Sequence, residues 1–410
     1  MPSTKQKLES TLAEGFKDGK IPHAIVCATN RDGSFTYTHT VGTAQPDSST
    51  PIEHDAMLLL ASSTKLLTSI AALQIVEKGL WKLDDDVSSL LPELCNQPLL
   101  QGFDEEKNVP IVVERKGVVT LRHLVTHTHG QPYDVWDPKL QKWAEIHGRK
   151  PGAGATVQER FNYPFTFEPG TSWQYSGGLD WTGLLIERLT GTTLDEYFKT
   201  NLFAPLGIHD MTFWPYKDPT FKDKVPQLMT RTPEGKLAPF TQPFINTGST
   251  GCFGGHGCYG TMRSYNLILK DLLSSTPRLL KPDTLNACFT PQLSGGAKEG
   301  LQGFFRSPFV TMVIGEWRGE WDVNWGLGGV MIMHDCPDGP RRKAGTLSWG
   351  GITNTFWTVD REAGLAVCFG TQVLPPGDGK VEEMITAVEK AVYEMAGTKV
   401  GAASEGGSRL

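Results

Sequence analysis

The sequence predicts a mixed α/β (α+β) protein: one antiparallel sheet built from both chain ends and flanked by helices, with a largely helical lobe inserted between. Three observations predict it. β-like runs occur near the N-terminus, a similar group recurs far downstream, and the middle reads as helices broken by long loops rich in Pro, Gly and Trp. No internal repeat or long linker divides these parts. The sheet lobe is therefore assigned to residues 1–61 and 339–400, the mainly helical lobe to 62–338, and a flexible tail to 401–410.

Leu8, Leu12 and Phe16 recur at helical spacing within residues 5–19. Two strands follow, Ala24–Thr29 and Phe35–Val41, joined by the hairpin signal Asn30-Arg31-Asp32-Gly33. Ser62-Ser63-Thr64-Lys65 leads into an amphipathic helix carrying Leu66, Leu67, Ile70, Leu73, Ile75 and Val76 and ending near Gly79. Downstream come a strand over Thr355–Val359, a turn from Asp360 to Gly364, and a strand over Leu365–Thr371. A last helix spans about Lys380 to Ala396.

Composition narrows the function. With 39% hydrophobic and 20% charged residues, the 410-residue chain has the material for a substantial core. A net charge of −6 argues against a nucleic-acid binder, and no run approaches the roughly 18 apolar residues of a membrane span. The N-terminus shows no apolar h-region, so a protein that is not secreted is expected. The seven cysteines are odd in number and lie mostly in apolar runs, which suits buried, reduced thiols. Cys252 and Cys258 lack a second pair, so no metal is expected there. Gly254-Gly255-His256-Gly257 lacks the Lys-Ser/Thr of a phosphate loop, which argues against phosphate cradling, and the absence of a Gly-x-Ser-x-Gly elbow counts against an α/β-hydrolase; no cofactor is expected. The final Ser408-Arg409-Leu410 matches the small-basic-Leu peroxisomal signal after a Gly/Ser-rich stretch. Both peroxisome and cytosol stay open.

The Ser-x-x-Lys spacing puts Lys65 one turn beyond Ser62 and on its face. A serine hydroxyl needs a base to become a nucleophile, and a lysine serves if burial lowers its proton affinity. The helix N-terminus adds N–H groups for a developing oxyanion. The same four residues also suit an N-cap serine with a solvated lysine.

The wider pattern resembles a known family. Ala61-Ser62-Ser63-Thr64-Lys65-Leu66-Leu67-Thr68, with Gly79-Leu80-Trp81-Lys82-Leu83-Asp84-Asp85, resembles the first signature of class C β-lactamases and related esterases. Leu121-Arg122-His123-Leu124-Val125-Thr126-His127-Thr128 is similar to their "LRHLLTHTSG" segment, with His129 where Ser is usual. Phe167-Glu168-Pro169-Gly170 and Trp173-Gln174-Tyr175-Ser176 resemble the segment that delivers the catalytic tyrosine. Ala204-Pro205-Leu206-Gly207-Ile208 resembles the "PLGM.DT" turn, and Ser348-Trp349-Gly350-Gly351 occupies the place of the Lys-Thr-Gly strand. The likeness runs from about residue 8 to 395. It is nearest to fungal acyltransferases that load a methylbutyryl side chain onto statin precursors.

The resemblance implies a serine β-lactamase/penicillin-binding-protein-like fold and a cofactor-independent acyl-enzyme mechanism. It implies Ser62 as nucleophile, Lys65 and Tyr175 as its activating pair, and the amides of Ser62 and Ile352 as the oxyanion hole. Trp349, Gly350, Gly351, Trp173 and His256 are the candidate substrate contacts. The acyl donor is then an ester or thioester (acyl-CoA or carrier-bound thioesters included), and the acceptor a hydroxyl of a small, secondary-metabolite-like molecule. Hydrolysis of an ester or lactone and non-catalytic binding on the same fold stay open. Two departures bear on the substrate: Tyr175-Ser176-Gly177 lacks the amide of Tyr-x-Asn, and Trp349 replaces the lysine of Lys-Thr-Gly. Both favour a larger, apolar or thioester substrate over a β-lactam. Tyr175 also reads as a core tyrosine, and Gly350-Gly351 as a bulge. The pair His127 and His129 reads as structural, bonding backbone near the site. Asp180 is left without a role.

Overall fold

The computed structural model describes residues 1–46, 48–306, 322–337, 339 and 341–397. The terminal tripeptide 408–410 lies outside the described residues, as does the tail from 398. The central sheet has seven strands: β1 (His23–Asn30), β2 (Thr36–Gly42), β3 (Val323–Trp325), β4 (Val330–Ile332), β5 (Leu347–Gly350), β6 (Phe356–Asp360) and β7 (Leu365–Gly370). Their spatial order is β3-β4-β5-β6-β7-β1-β2, antiparallel throughout, so the two chain ends meet where β1 pairs β7. β3 and β4 precede residue 339, so the sheet also draws on the span assigned above to the helical lobe.

The sheet is buried on both faces, and the two-residue period sorts its side chains into two cores. Ala24, Val26, Ala28, Phe356, Val367 and Phe369 face a layer made of α1 (Thr4–Lys17) and the C-terminal helix Gly379–Met395. Ile25, Cys27, Trp357, Val359, Ala366 and Cys368 face the other way, toward the helical lobe. α1 opens with a reciprocal capping box between Ser3 and Gln6. The C-terminal helix opens on Asp378, which caps two amides and takes both arms of Arg231. All seven cysteines are free thiols, six of them buried. Among the described residues no helix is long and apolar enough to cross a membrane.

The helix after Ser62 departs from the amphipathic expectation. α2 (Thr64–Glu77) follows a single 3-10 turn, Ala61–Ser63, and every residue from Thr64 to Ile75 is buried. It is the central helix of the second lobe, so it has no water-facing side. Its polar residues are matched internally. Thr68 donates to the Gly254 carbonyl at 2.6 Å, and Gln74 donates to Leu279 and Asn201 carbonyls at 2.9 and 3.1 Å. Lys65 is held in this interior, 2% exposed.

His23, at the start of β1, is fully buried, with Nδ1 3.1 Å from the Thr43 carbonyl and Nε2 unpartnered. Burial pushes its pKa down to about 4, against the Thr43 hydrogen bond. The unfolded chain therefore binds the extra proton between about pH 6.5 and 4, so stability is present above pH 6.5 and lost as pH falls through that window. The expected loss attributable to His23 is about 2 kcal/mol by pH 5. Denaturant titrations at pH 7 and 5 should show it. A His23→Asn variant with the same pH slope as wild type would rule His23 out as the source.

Candidate active site

The turn that carries Ser62 is held by hydrogen bonds at Leu60. The Leu60 amide donates to the Cys258 carbonyl at 3.0 Å, and the Leu60 carbonyl accepts from the Ser63 amide and the Thr355 hydroxyl. Between them Ala61 adopts φ 46°, a left-handed conformation that costs a non-glycine residue energy. That turn separates the two adjacent serines. Ser62 is partly exposed at the cleft, whereas Ser63 is buried, with its Oγ 3.3 Å from Thr355 Oγ1. The amides of Ser62 and Ile352 donate to no other group among the described residues. Gly351 is the point of contact between the two segments. A Cβ there would lie 2.4 Å from Thr355 Oγ1 and 2.6 Å from the Leu60 carbonyl, so its missing side chain serves packing against the turn that carries Ser62. Gly350 ends β5, paired with Phe356.

Lys65 Nζ has three partners. It lies 3.3 Å from Ser62 Oγ, 3.1 Å from the Tyr133 hydroxyl and 2.8 Å from the Gly255 carbonyl. It also sits 4.6 Å from the centre of the Tyr175 ring. The Gly255 carbonyl reaches it because the 254–257 stretch threads against α2 and α3 (Gly178–Thr190). A Cβ on Gly255 would fall 2.3 Å from Asp180 Oδ2, so only glycine fits. The Gly255 amide in turn donates to Asp180 Oδ1 at 2.8 Å.

A buried polar chain runs behind this pair. Tyr133 donates its hydroxyl proton to Asp180 Oδ2 at 3.3 Å, and His256 Nδ1 lies 3.3 Å from Asp180 Oδ1. Arg160 Nη1 lies 3.0 Å from His256 Nε2. A guanidinium can only donate, so Nε2 accepts and Nδ1–H donates to Asp180, which requires a neutral imidazole. The electrostatics agree: burial drives the His256 pKa down, Asp180 pulls it back, and Arg160 and Lys65 add to the fall. Burial alone would raise the Asp180 carboxyl, but His256, Lys65 and the Gly255 amide outweigh it and hold the group below the usual range. Burial and the Asp180 charge push the Tyr133 phenol well above its ordinary value, so it stays protonated. Arg160 has an acceptor for each of its five N–H groups: the Gly154 carbonyl twice, Ile245 carbonyl, His256 and Ser249.

Of the residues expected from sequence, the structure brings Ser62, Lys65, Tyr175, Ile352 and His256 around one cleft. Trp349 is placed differently. It is 1% exposed, packed edge-on to Trp325, and its indole N–H donates to the Tyr175 hydroxyl at 3.1 Å. Because β5 carries it into the core, it orients Tyr175 from behind instead of lining a cavity. His256 does line the cleft, but both ring nitrogens are already used. Trp173 walls an aromatic cavity of about 380 Å³ with Tyr133, Trp136, Tyr175 and Phe304, and its indole N–H is buried without a partner. A smaller cavity of about 120 Å³ lies at Ser62, with Trp136, Phe161, Ile245 and Ile352. His127 bonds the Ser176 hydroxyl at 2.8 Å, a side chain and not the backbone partner expected.

Sequence reasoning missed Tyr133, Asp180 and Arg160. Tyr133 arrives because residues 131–133 run antiparallel to the 175–176 segment, with the Tyr133 amide donating to the Tyr175 carbonyl at 3.1 Å. No local pattern around Gln131-Pro132-Tyr133 signals that pairing. Asp180 had one available signal. It is a carboxylate inside the apolar first turns of α3, where an acid is found only with buried partners.

Comparison with known proteins gives the family. Residues 8–389 match the family model described as Beta-lactamase. The chain is 36% identical over 380 residues to lovastatin esterase of Penicillium rubens, covering 91% of this chain and 94% of that protein. It is 34% identical over 399 residues to monacolin J acid methylbutanoyltransferase of Aspergillus terreus, covering 94% and 95%. Among solved structures, the LovD6 mutant of simvastatin synthase from Aspergillus terreus superposes with a TM-score of 0.90 at 32% identity, over 97% of this chain and 96% of that one. The chain belongs to the β-lactamase family, within a branch that holds fungal acyltransferases and esterases.

Proposed function

We propose that the protein is a serine acyltransferase working through an acyl-Ser62 intermediate. Ser62 Oγ attacks the carbonyl of an ester or thioester donor, and Lys65 takes the hydroxyl proton. The Ser62 and Ile352 amides hold the oxyanion as it forms. The C–O or C–S bond then breaks, the leaving group departs with a proton from Tyr175, and the acyl group stays on Ser62. An acceptor hydroxyl reverses these roles and carries the acyl group away.

One observation carries this reading: the partner set of Lys65. Two of its three partners, the Gly255 carbonyl and the Tyr133 oxygen, act only as acceptors here. Once Lys65 is an amine, its two N–H groups serve them and its lone pair is left facing Ser62 Oγ. The two phenols then divide the remaining work. Tyr133 has its proton committed to Asp180 and anchors the lysine. Tyr175 accepts from an indole that can only donate, so its own O–H proton stays uncommitted. The small cavity at Ser62 suits a short acyl group, and the adjoining aromatic cavity suits a larger apolar acceptor.

Hydrolysis is the second reading, favoured by the 36% identity to an esterase. The two separate in a partition experiment. The enzyme is loaded with a short acyl thioester such as S-butyryl-N-acetylcysteamine, and deacylation is timed with and without polycyclic alcohols at millimolar concentration. At least tenfold faster deacylation with an alcohol, with ester formed, is expected. Release as free acid at one rate whatever alcohol is present would make the protein an esterase. Carrier-bound donors and peroxisomal import through Ser408-Arg409-Leu410 extend this proposal. A fluorescent protein fused to the N-terminus should collect in peroxisomes and return to the cytosol when those three residues are deleted. Diffuse fluorescence in both cases would count against import.

A further inference from the structure

Behind one wall of the Ser62 cleft lies a second cavity of about 580 Å³ that contains none of Ser62, Lys65, Tyr133 or Tyr175. Its lining is mixed: Phe213, Trp214, Phe240, Phe244 and Tyr259 supply aromatic faces, and side chains such as Gln242 and Asn246 supply polar ones. No carboxylate is found among its described lining residues, although the chain as a whole carries a net charge of −6. The single formal charge is Lys217, whose ammonium lies 3.7 Å over the Trp214 ring and has no ion-pair partner among the described residues. The nearby acid Asp195 is already taken by Lys199 at 2.7 Å and by the Thr212 hydroxyl and Phe213 amide. Asn246 adds a second polar group. Its carboxamide atoms are buried, and among the described residues their one polar neighbour is the Tyr259 hydroxyl, so a ligand with an acceptor or donor edge would complete a set that is only partly met.

The two cavities share one strip of chain. Ile245 faces the Ser62 cleft, while its neighbours Phe244 and Asn246 face the second cavity. Arg160 holds the Ile245 carbonyl at 2.8 Å. Ile352, which lines the cleft, packs in the same cluster as Leu59, Phe244 and Tyr259.

We propose that this cavity is a second binding site, for a small organic anion with an aromatic or alicyclic body. Its carboxylate or sulfonate pairs with Lys217, its polar edge meets the Asn246 carboxamide, and its ring lies against Trp214 and Phe244. An unpaired charge, a partly satisfied amide and aromatic faces are the elements by which such ligands are recognised.

The test uses the full chain and 1-anilinonaphthalene-8-sulfonate, an aryl sulfonate that fluoresces when bound in an apolar site. Saturable binding is expected, weakened at least tenfold by Lys217→Glu and by Asn246→Leu. Trp136→Ala, which alters the cavities beside Ser62, should leave it unchanged. Lys217 is exposed, so an unchanged Tm is expected to show that its replacement leaves the fold intact. Insensitivity to Lys217→Glu in a folded variant, dependence on Trp136 instead, or no saturable binding would each overturn the proposal. None of these outcomes bears on the acyl-Ser62 reading.

Discussion

Ser62→Ala is expected to lower turnover of an activated ester by roughly 10⁴- to 10⁶-fold, with little change in the binding of substrate. The size follows from the lack of a substitute. Ser63, its neighbour, points into the sheet side of the turn with its Oγ on Thr355, so it does not face Lys65. The Tyr133 hydroxyl is within reach of Lys65, but burial and Asp180 hold its proton in place, so no phenolate forms near neutral pH. Stability should hardly move, because Ser62 makes one long hydrogen bond and is partly exposed. A variant that keeps more than about a hundredth of wild-type activity would mean that the reaction does not pass through this serine.

The second large effect separates the two tyrosines. Tyr175→Phe is expected to cost roughly 10²- to 10⁴-fold in kcat, the range of a lost proton donor. The loss should be smallest for esters whose leaving groups need no proton, such as nitrophenolates. Tyr133→Phe removes an acceptor from Lys65 and a donor from Asp180, and a loss of roughly 10- to 100-fold is expected, the worth of two internal hydrogen bonds. Kinetics of both variants with aryl and alkyl esters decide this. Were Tyr133→Phe the more damaging, and were its loss the one that tracked the leaving group, the roles given to the two phenols would be exchanged.

The fold was legible from sequence wherever turn signals bound a run or a helix packs one face. The β1–β2 and β6–β7 hairpins and the two terminal helices lie within two residues of their expected bounds, the strands because Asn30–Gly33 and Asp360–Gly364 mark their turns and the helices because each packs one face on the sheet. α2 was legible as a helix but not as a buried one. An apolar stripe looks the same whether its polar side meets water or, as here, the Gly254 and Leu279 carbonyls. β3 and β4 are three residues each and gave no period to read.

In the site, the pair Ser62 and Lys65 is local, one helical turn apart, and so could be seen. Tyr133, Asp180 and Arg160 come from three segments and converge only through tertiary pairing, so spacing could not show them. Trp349 illustrates a different limit. Its place in the motif order suggested contact with substrate. The strand's alternation turns it inward, where its one polar atom acts on Tyr175.

The central claim is the covalent acyl-serine, and intact-mass spectrometry tests it most directly. Wild type, Ser62→Ala and Lys65→Met are incubated with short acyl thioesters and aryl esters, quenched in acid and weighed, and the modified peptide is sequenced. The account predicts a gain of one acyl group on Ser62 in wild type, none in Ser62→Ala, and accumulation slowed by at least a thousandfold in Lys65→Met. Turnover without any adduct at Ser62, or an equal adduct in Ser62→Ala, would contradict it.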